Sequence, residues 1–115
     1  VFFENYKGVL PILKKNLKSL EKLNNYEIIE KDIYNKSTFF NLKKKFNIIY
    51  LDPPFKDKNL DKLLLSIKEE GILDKKGIII IHRHKNEKVS FDSKFNIIEE
   101  KKYGISKIIF LNVLN

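Results

Sequence analysis

The chain has 115 residues, of which 23 are Lys or Arg and 15 are Asp or Glu, giving a formal charge of +8. At 43% hydrophobic, with five Tyr and nine Phe, it can build a core, and the absence of Cys excludes a disulfide scaffold, a thiolate metal site and a Cys nucleophile. The longest aliphatic run, Ile78 to Ile81, is far short of the roughly 20 residues a membrane span needs, so a soluble, reducing, cytoplasmic setting is expected.

Lys, Ile and Asn fill 51 positions and Arg83 is the only Arg, so the charge permits a nucleic-acid partner without specifying one. Met is absent and Val1 opens an apolar run, which raises the expectation that the start was processed off or that these residues are a piece of something longer, one domain or part of one.

Val1 to Glu4 reads as the end of a buried strand. A helix is predicted next, with Leu10, Leu13, Leu17, Leu20 and Leu23 on one face and Lys14, Lys15, Lys18 and Lys22 between them. Pro11 fits only if that helix begins near Gly8, where a missing N–H is harmless. Tyr26 to Glu30 predicts a second strand ending at Asp32. A short third element, capped by Ser37, would carry Phe39, Leu42 and Phe46 on one side. Phe46 to Leu51 is almost continuously apolar, as a strand covered on both faces should be.

After Asp52-Pro53-Pro54-Phe55, Asp57 or Asn59 would cap a helix bearing Leu60, Leu63, Leu64 and Ile67, closed by Gly71. Gly77 to Ile81 predicts a buried strand. Phe95 to Lys102 and Ile105 to Leu114, joined at Tyr103-Gly104, predict a hairpin. Such alternation gives an α/β fold with a mostly parallel sheet, whose ligands bind beyond the carboxyl ends of the strands. Glu4, Asp32 and the Asp-Pro-Pro-Phe segment all stand at such ends.

Asp52-Pro53-Pro54-Phe55 has the chemistry of a recognition loop. Two prolines remove two backbone donors and fix φ near −65°, so the loop is stiff and presents bare carbonyls. A carboxylate beside the Pro53 carbonyl makes a two-acceptor clamp, matched to the two hydrogens of an exocyclic amino group. Phe55 offers a ring face for a planar base or amide. Holding both hydrogens turns the nitrogen lone pair toward an electrophilic methyl group, and transfer then needs mainly positioning. A rigid turn without chemistry is the alternative at this point.

The stretch Asn47 to Phe55 resembles motif IV of the amino-group methyltransferases that use S-adenosylmethionine. Val1-Phe2-Phe3-Glu4, the helix with Lys15-Asn16-Leu17, the strand ending at Asp32, Glu70-Gly71-Ile72-Leu73 and the Tyr103-to-Lys107 hairpin are similar to the RsmD type. That type methylates N2 of a guanine in 16S ribosomal RNA. The resemblance implies a Rossmann-like class I methyltransferase sheet and a partnership with the small ribosomal subunit, as a monomer. By the same resemblance Asp52 and Pro53 hold the guanine amino group, with Pro54 stiffening the loop and Phe55 stacking on the base. Glu4 would accept from the cofactor ribose, Asp32 would contact its adenine with Ile33 against the ring, and Lys56 and Lys58 would reach RNA phosphates.

The chain also departs from that pattern. Its four glycines, Gly8, Gly71, Gly77 and Gly104, are isolated, so no Gly-rich cofactor loop is present. In the family that loop follows a first strand lying between the strands that end here at Glu4 and Leu51. That strand is expected to be absent, leaving a C-terminal fragment with weak or no cofactor affinity of its own. Tyr6 replaces a second acid. His82-Arg83-His84 reads as a polar strand end, without a third ligand for a metal. DNA adenine or a protein glutamine as acceptor, and a non-catalytic RNA-binding role, stay open.

Overall fold

The computed structural model describes residues 1–20, 26–35, 38–39, 42–54 and 59–114. They divide into two compact units, Val1–Asn41 and Leu42–Asn115.

In the first unit, β1 (Phe2–Phe3) and β2 (Ile28–Ile29) pair in parallel, Phe2 opposite Ile28 and Phe3 opposite Ile29. Between them α1 (Leu10–Lys18) carries Pro11 in its first turn, where no helical donor is lost, and buries Leu10 and Leu17. The helix stops at Lys18. Ser19 turns its hydroxyl back onto the Asn16 carbonyl at 2.7 Å, an interaction that competes with helix continuation. Leu20 is therefore exposed rather than on the buried stripe, while Leu23 and Lys22 fall outside the described residues. Phe3 and Phe39 meet edge to face with centroids 5.5 Å apart.

The predicted short third element is not a helix among the described residues. Thr38 and Phe39 lie in a turn and Ser37 lies outside the described residues. Phe46 belongs instead to a strand, where its N–H donates to the Ile72 carbonyl at 2.7 Å. Apolar spacings of three and four are ambiguous over so short a run, and strand pairing wins.

In the second unit, β3 (Phe46–Leu51) is followed by α2 (Leu60–Glu69), β4 (Leu73–His84), β5 (Phe95–Tyr103) and β6 (Ser106–Val113). Their sheet has the order β3-β4-β6-β5, with β3 and β4 parallel and the two remaining pairs antiparallel. Asn59 stands at the N-cap of α2 without a side-chain capping bond. Gly71 ends the helix region at φ 62° and Gly104 turns the hairpin at φ 55°, both in the left-handed region that glycine enters without a Cβ clash. β4 is much longer than the predicted Gly77 to Ile81, because Leu73 already pairs with Phe46 of β3 and antiparallel pairing with β6 continues as far as His84.

Alternation along β4 and β6 sorts the faces. On one face Ile79 is opposite Leu111, Ile81 opposite Ile109, and Arg83 opposite Lys107, and all six are buried. Leu60, Leu63, Leu64 and Ile67 of α2 are buried as well. At 0.8 kcal/mol or so per buried methylene, this aliphatic cluster is the main stabilising feature of the unit.

β3 differs from expectation. Ile48 is 64% and Tyr50 57% exposed, so the strand is not covered on both faces by the described elements. Among the described residues β1 pairs only with β2, and β3 only with β4.

Candidate active site

The parallel register sets Leu51 opposite Ile81, so the next residues, Asp52 and His82, emerge side by side at the carboxyl ends of β3 and β4. Asp52 Oδ1 lies 3.0 Å from His82 Nδ1, and His82 Nε2 lies 2.8 Å from Ser106 Oγ. The Asp52 side chain is 50% exposed and that of His82 23%. Asp52 Oδ2 has no partner among the described residues.

Tyr50, two residues earlier, has its phenol pushed above the ordinary tyrosine range, first by burial and then by the Asp52 carboxylate. Asp52→Asn removes the second cause. The Tyr50 midpoint, followed by NMR of its ring, is expected to fall while staying above the ordinary value; an unmoved midpoint would show that the two groups do not interact.

Arg83 holds the other part of the motif. It is 1% exposed, and its Nη1 donates to both the Pro53 and Pro54 carbonyls at 3.2 Å. Its Nε and Nη2 donate to the two oxygens of Glu87, each at 2.5 Å, a bidentate fork. The bare carbonyls left by two consecutive prolines are thus satisfied from β4. Lys107, opposite Arg83, donates its ammonium to the Glu87 carbonyl. Glu87 thereby serves both buried cations, which directly opposite one another would otherwise repel.

Reading His82-Arg83-His84 as a polar strand end missed this role. The signal was present in the sequence, since the chain's only Arg continues the buried alternation Gly77, Ile79, Ile81. A guanidinium on that face requires an acid and carbonyls to receive it.

Glu4 follows β1, and its Oε1 accepts from the N–H groups of Asn5 at 3.1 Å and Tyr6 at 3.0 Å. Asp32 follows β2, and its Oδ1 accepts from the Tyr34 N–H at 2.9 Å, while Thr38 donates its hydroxyl to the Asp32 carbonyl. Ile33 is half-buried in the same turn. Each acid keeps its second oxygen without a partner among the described residues. Asp74 and Asp92 form similar local turns, so that feature alone marks no site. Phe55, Lys56 and Lys58 lie outside the described residues. Among the described residues no group of three His, Asp or Glu side chains is placed to hold a metal, and no helix is long and apolar enough to cross a membrane.

A parallel strand pair carrying an acid at its carboxyl end, continued by an antiparallel hairpin, is the arrangement of class I methyltransferases. The fold matches a conserved hypothetical protein of Streptococcus pyogenes with TM-score 0.82 at 18% identity, over 95% of this chain and 68% of that one. It also matches the Haemophilus influenzae protein HI0767, provisionally described as a methylase, with TM-score 0.75 at 25% identity, over 99% and 71% of the two chains.

Residues 1–112 match the family described as Conserved hypothetical protein 95, and the chain belongs to that family. It is similar as well to the uncharacterized methylase RP545 of Rickettsia prowazekii (strain Madrid E), 30% identical over 77 residues. That match spans 66% of this chain and 33% of the relative's length.

Proposed function

We propose that the chain belongs to an S-adenosylmethionine-dependent methyltransferase acting on the exocyclic N2 amino group of a guanine in 16S ribosomal RNA. The observation that carries this reading is the Asp52 carboxylate at the carboxyl end of β3, with Oδ1 engaged by His82 and Oδ2 without a described partner. Family membership and the methylase relative support the reaction class. The basic charge suits an RNA acceptor.

Asp52 Oδ2 and the second lone pair of the Pro53 carbonyl accept the two amino hydrogens; the first lone pair is taken by Arg83. Phe55 stacks on the guanine, and Lys56 and Lys58 meet flanking phosphates. When bound, S-adenosylmethionine supplies an electrophilic methyl group. The nitrogen's extra proton leaves to Asp52 or to water, which the half-exposed carboxylate admits.

Glu4 and Asp32 suit the cofactor because each offers an unpartnered oxygen at the end of a parallel strand, with the half-buried Ile33 beside Asp32. No Gly-rich loop stands in the 115 residues, so on this reading the close backbone approach to the cofactor is made elsewhere in the protein.

Incubation of the whole protein with methyl-labelled S-adenosylmethionine and small ribosomal subunits, followed by mass spectrometry of nucleosides, is expected to yield N2-methylguanosine. Label in N6-methyladenine or in protein glutamine would replace the acceptor. No label in any acceptor would favour the RNA-binding role.

A further inference from the structure

Asp52, His82 and Ser106 form a chain of side chains at the carboxyl ends of β3 and β4 and the start of β6. The order acid, imidazole, hydroxyl is that of a hydrolase triad, but the exposure runs the other way. In such triads the acid is buried and the hydroxyl faces the substrate. Here the acid is the half-exposed member, and the bond to Ser106 is part-buried. The reactive end is therefore Asp52, and His82 with Ser106 stands behind it.

We propose that His82, supported by Ser106, is a positioning residue for Asp52, one that fixes which carboxylate oxygen meets the acceptor amino group. This rests on the function proposed above. The hydrogen-bond roles are set by the ionised carboxylate, which can only accept. In the neutral imidazole Nδ1 of His82 then carries the proton and donates to Oδ1, and Nε2 accepts from the Ser106 hydroxyl. Ser106, whose hydroxyl can donate or accept, matches the tautomer that Asp52 sets and holds the ring in place, as outer partners of a working imidazole commonly do. With Oδ1 tied down, rotation about the Asp52 side chain is arrested and Oδ2 is held as an acceptor-only atom. The acceptor must bring a donor to that atom, which favours an amino group over a ring nitrogen lone pair or a carbonyl.

Both the contact and its consequence can be measured. In the first experiment, long-range proton–nitrogen NMR of this chain resolves the tautomer of His82 and needs no activity. The Nδ1-protonated form is expected to dominate. In Asp52→Asn the preference should reverse, because the amide NH2 can face Nδ1 as a donor. A dominant Nε2-protonated form in the unmodified chain would overturn the proposal.

In the second experiment, methyl transfer to small ribosomal subunits by the whole protein is compared for His82→Phe and His82→Asn. The Phe variant is expected to lose about 10- to 100-fold in kcat, the scale of a misplaced reacting group. KM for RNA should change by no more than about twofold, as for an interaction used only in the transition state. Asn places an N–H near the position of Nδ1 and should restore a large part of the rate. Equal loss in both variants, or a change confined to KM, would refute positioning. If the unmodified protein transfers no methyl group, the functional reading fails while the tautomer still decides the contact. Covalent labelling of Ser106 by a fluorophosphonate would assign the three residues to hydrolysis instead.

Discussion

Asp52→Ala is expected to lower kcat for methyl transfer by about 10²- to 10³-fold, the range seen when one preorganised electrostatic partner is removed from a reacting group. S-adenosylmethionine affinity should hold, because Glu4 and Asp32, the acids proposed for the cofactor, follow other strands, β1 and β2. Asn at position 52 separates the possible causes. Its carbonyl can still accept one amino hydrogen if its NH2 turns inward. His82 can receive that NH2 by exchanging tautomers, with Nε2 then donating to Ser106. The Asn variant should therefore be milder, near tenfold, on the scale of one neutral hydrogen bond replacing a charged one. Single-turnover rates and equilibrium cofactor titration would read the two effects separately. Unchanged turnover in Asp52→Ala would remove Asp52 from the reaction.

Much of this site was legible in the sequence because its informative residues impose local constraints. Asp-Pro-Pro-Phe after an apolar strand predicts a stiff loop at the strand's carboxyl end, and β3 does end at Leu51. Gly71 and Gly104 both occupy positive φ at the places where a helix end and a tight turn were expected. The hairpin was readable from Gly104, but its two-residue turn is Gly104-Ile105 rather than Tyr103-Gly104, because Tyr103 still pairs with Ser106.

What failed was mostly a question of pairing. The stripe Leu10, Leu13, Leu17 could not say that Ser19 would end α1, and the spacing Phe39, Leu42, Phe46 could not reveal that Phe46 pairs near Ile72. An apolar run such as Phe46 to Leu51 records what a strand is suited to touch. It does not show that the described neighbours are enough to cover Ile48 and Tyr50. His82 and Arg83 were the least legible, because their partners, Asp52, Ser106, Pro53 and Pro54, lie about 20 to 30 positions away along the chain.

Arg83→Met should destabilise the chain by about 3 kcal/mol in urea denaturation, the lower part of the range for breaking a buried ion pair. Two losses add. Glu87 keeps a carboxylate that is only 27% exposed and has lost its fork, and the Pro53 and Pro54 carbonyls lose their donor. The partial exposure of Glu87 keeps the cost from being higher, since water can reach the freed carboxylate. Arg83→Lys keeps the charge but not the planar fork, so it cannot serve Glu87 and two carbonyls at once; about half the loss should remain. Arg83→Met with Glu87→Leu removes both charges together and should recover part of the stability, because the stranded carboxylate is gone. Recovery of stability without recovery of methyl transfer is the informative result. It would separate the folding role of the ion pair from the hold that Arg83 keeps on the carbonyls beside Asp52. Were the double variant fully active, the two prolines alone would be enough to set the loop.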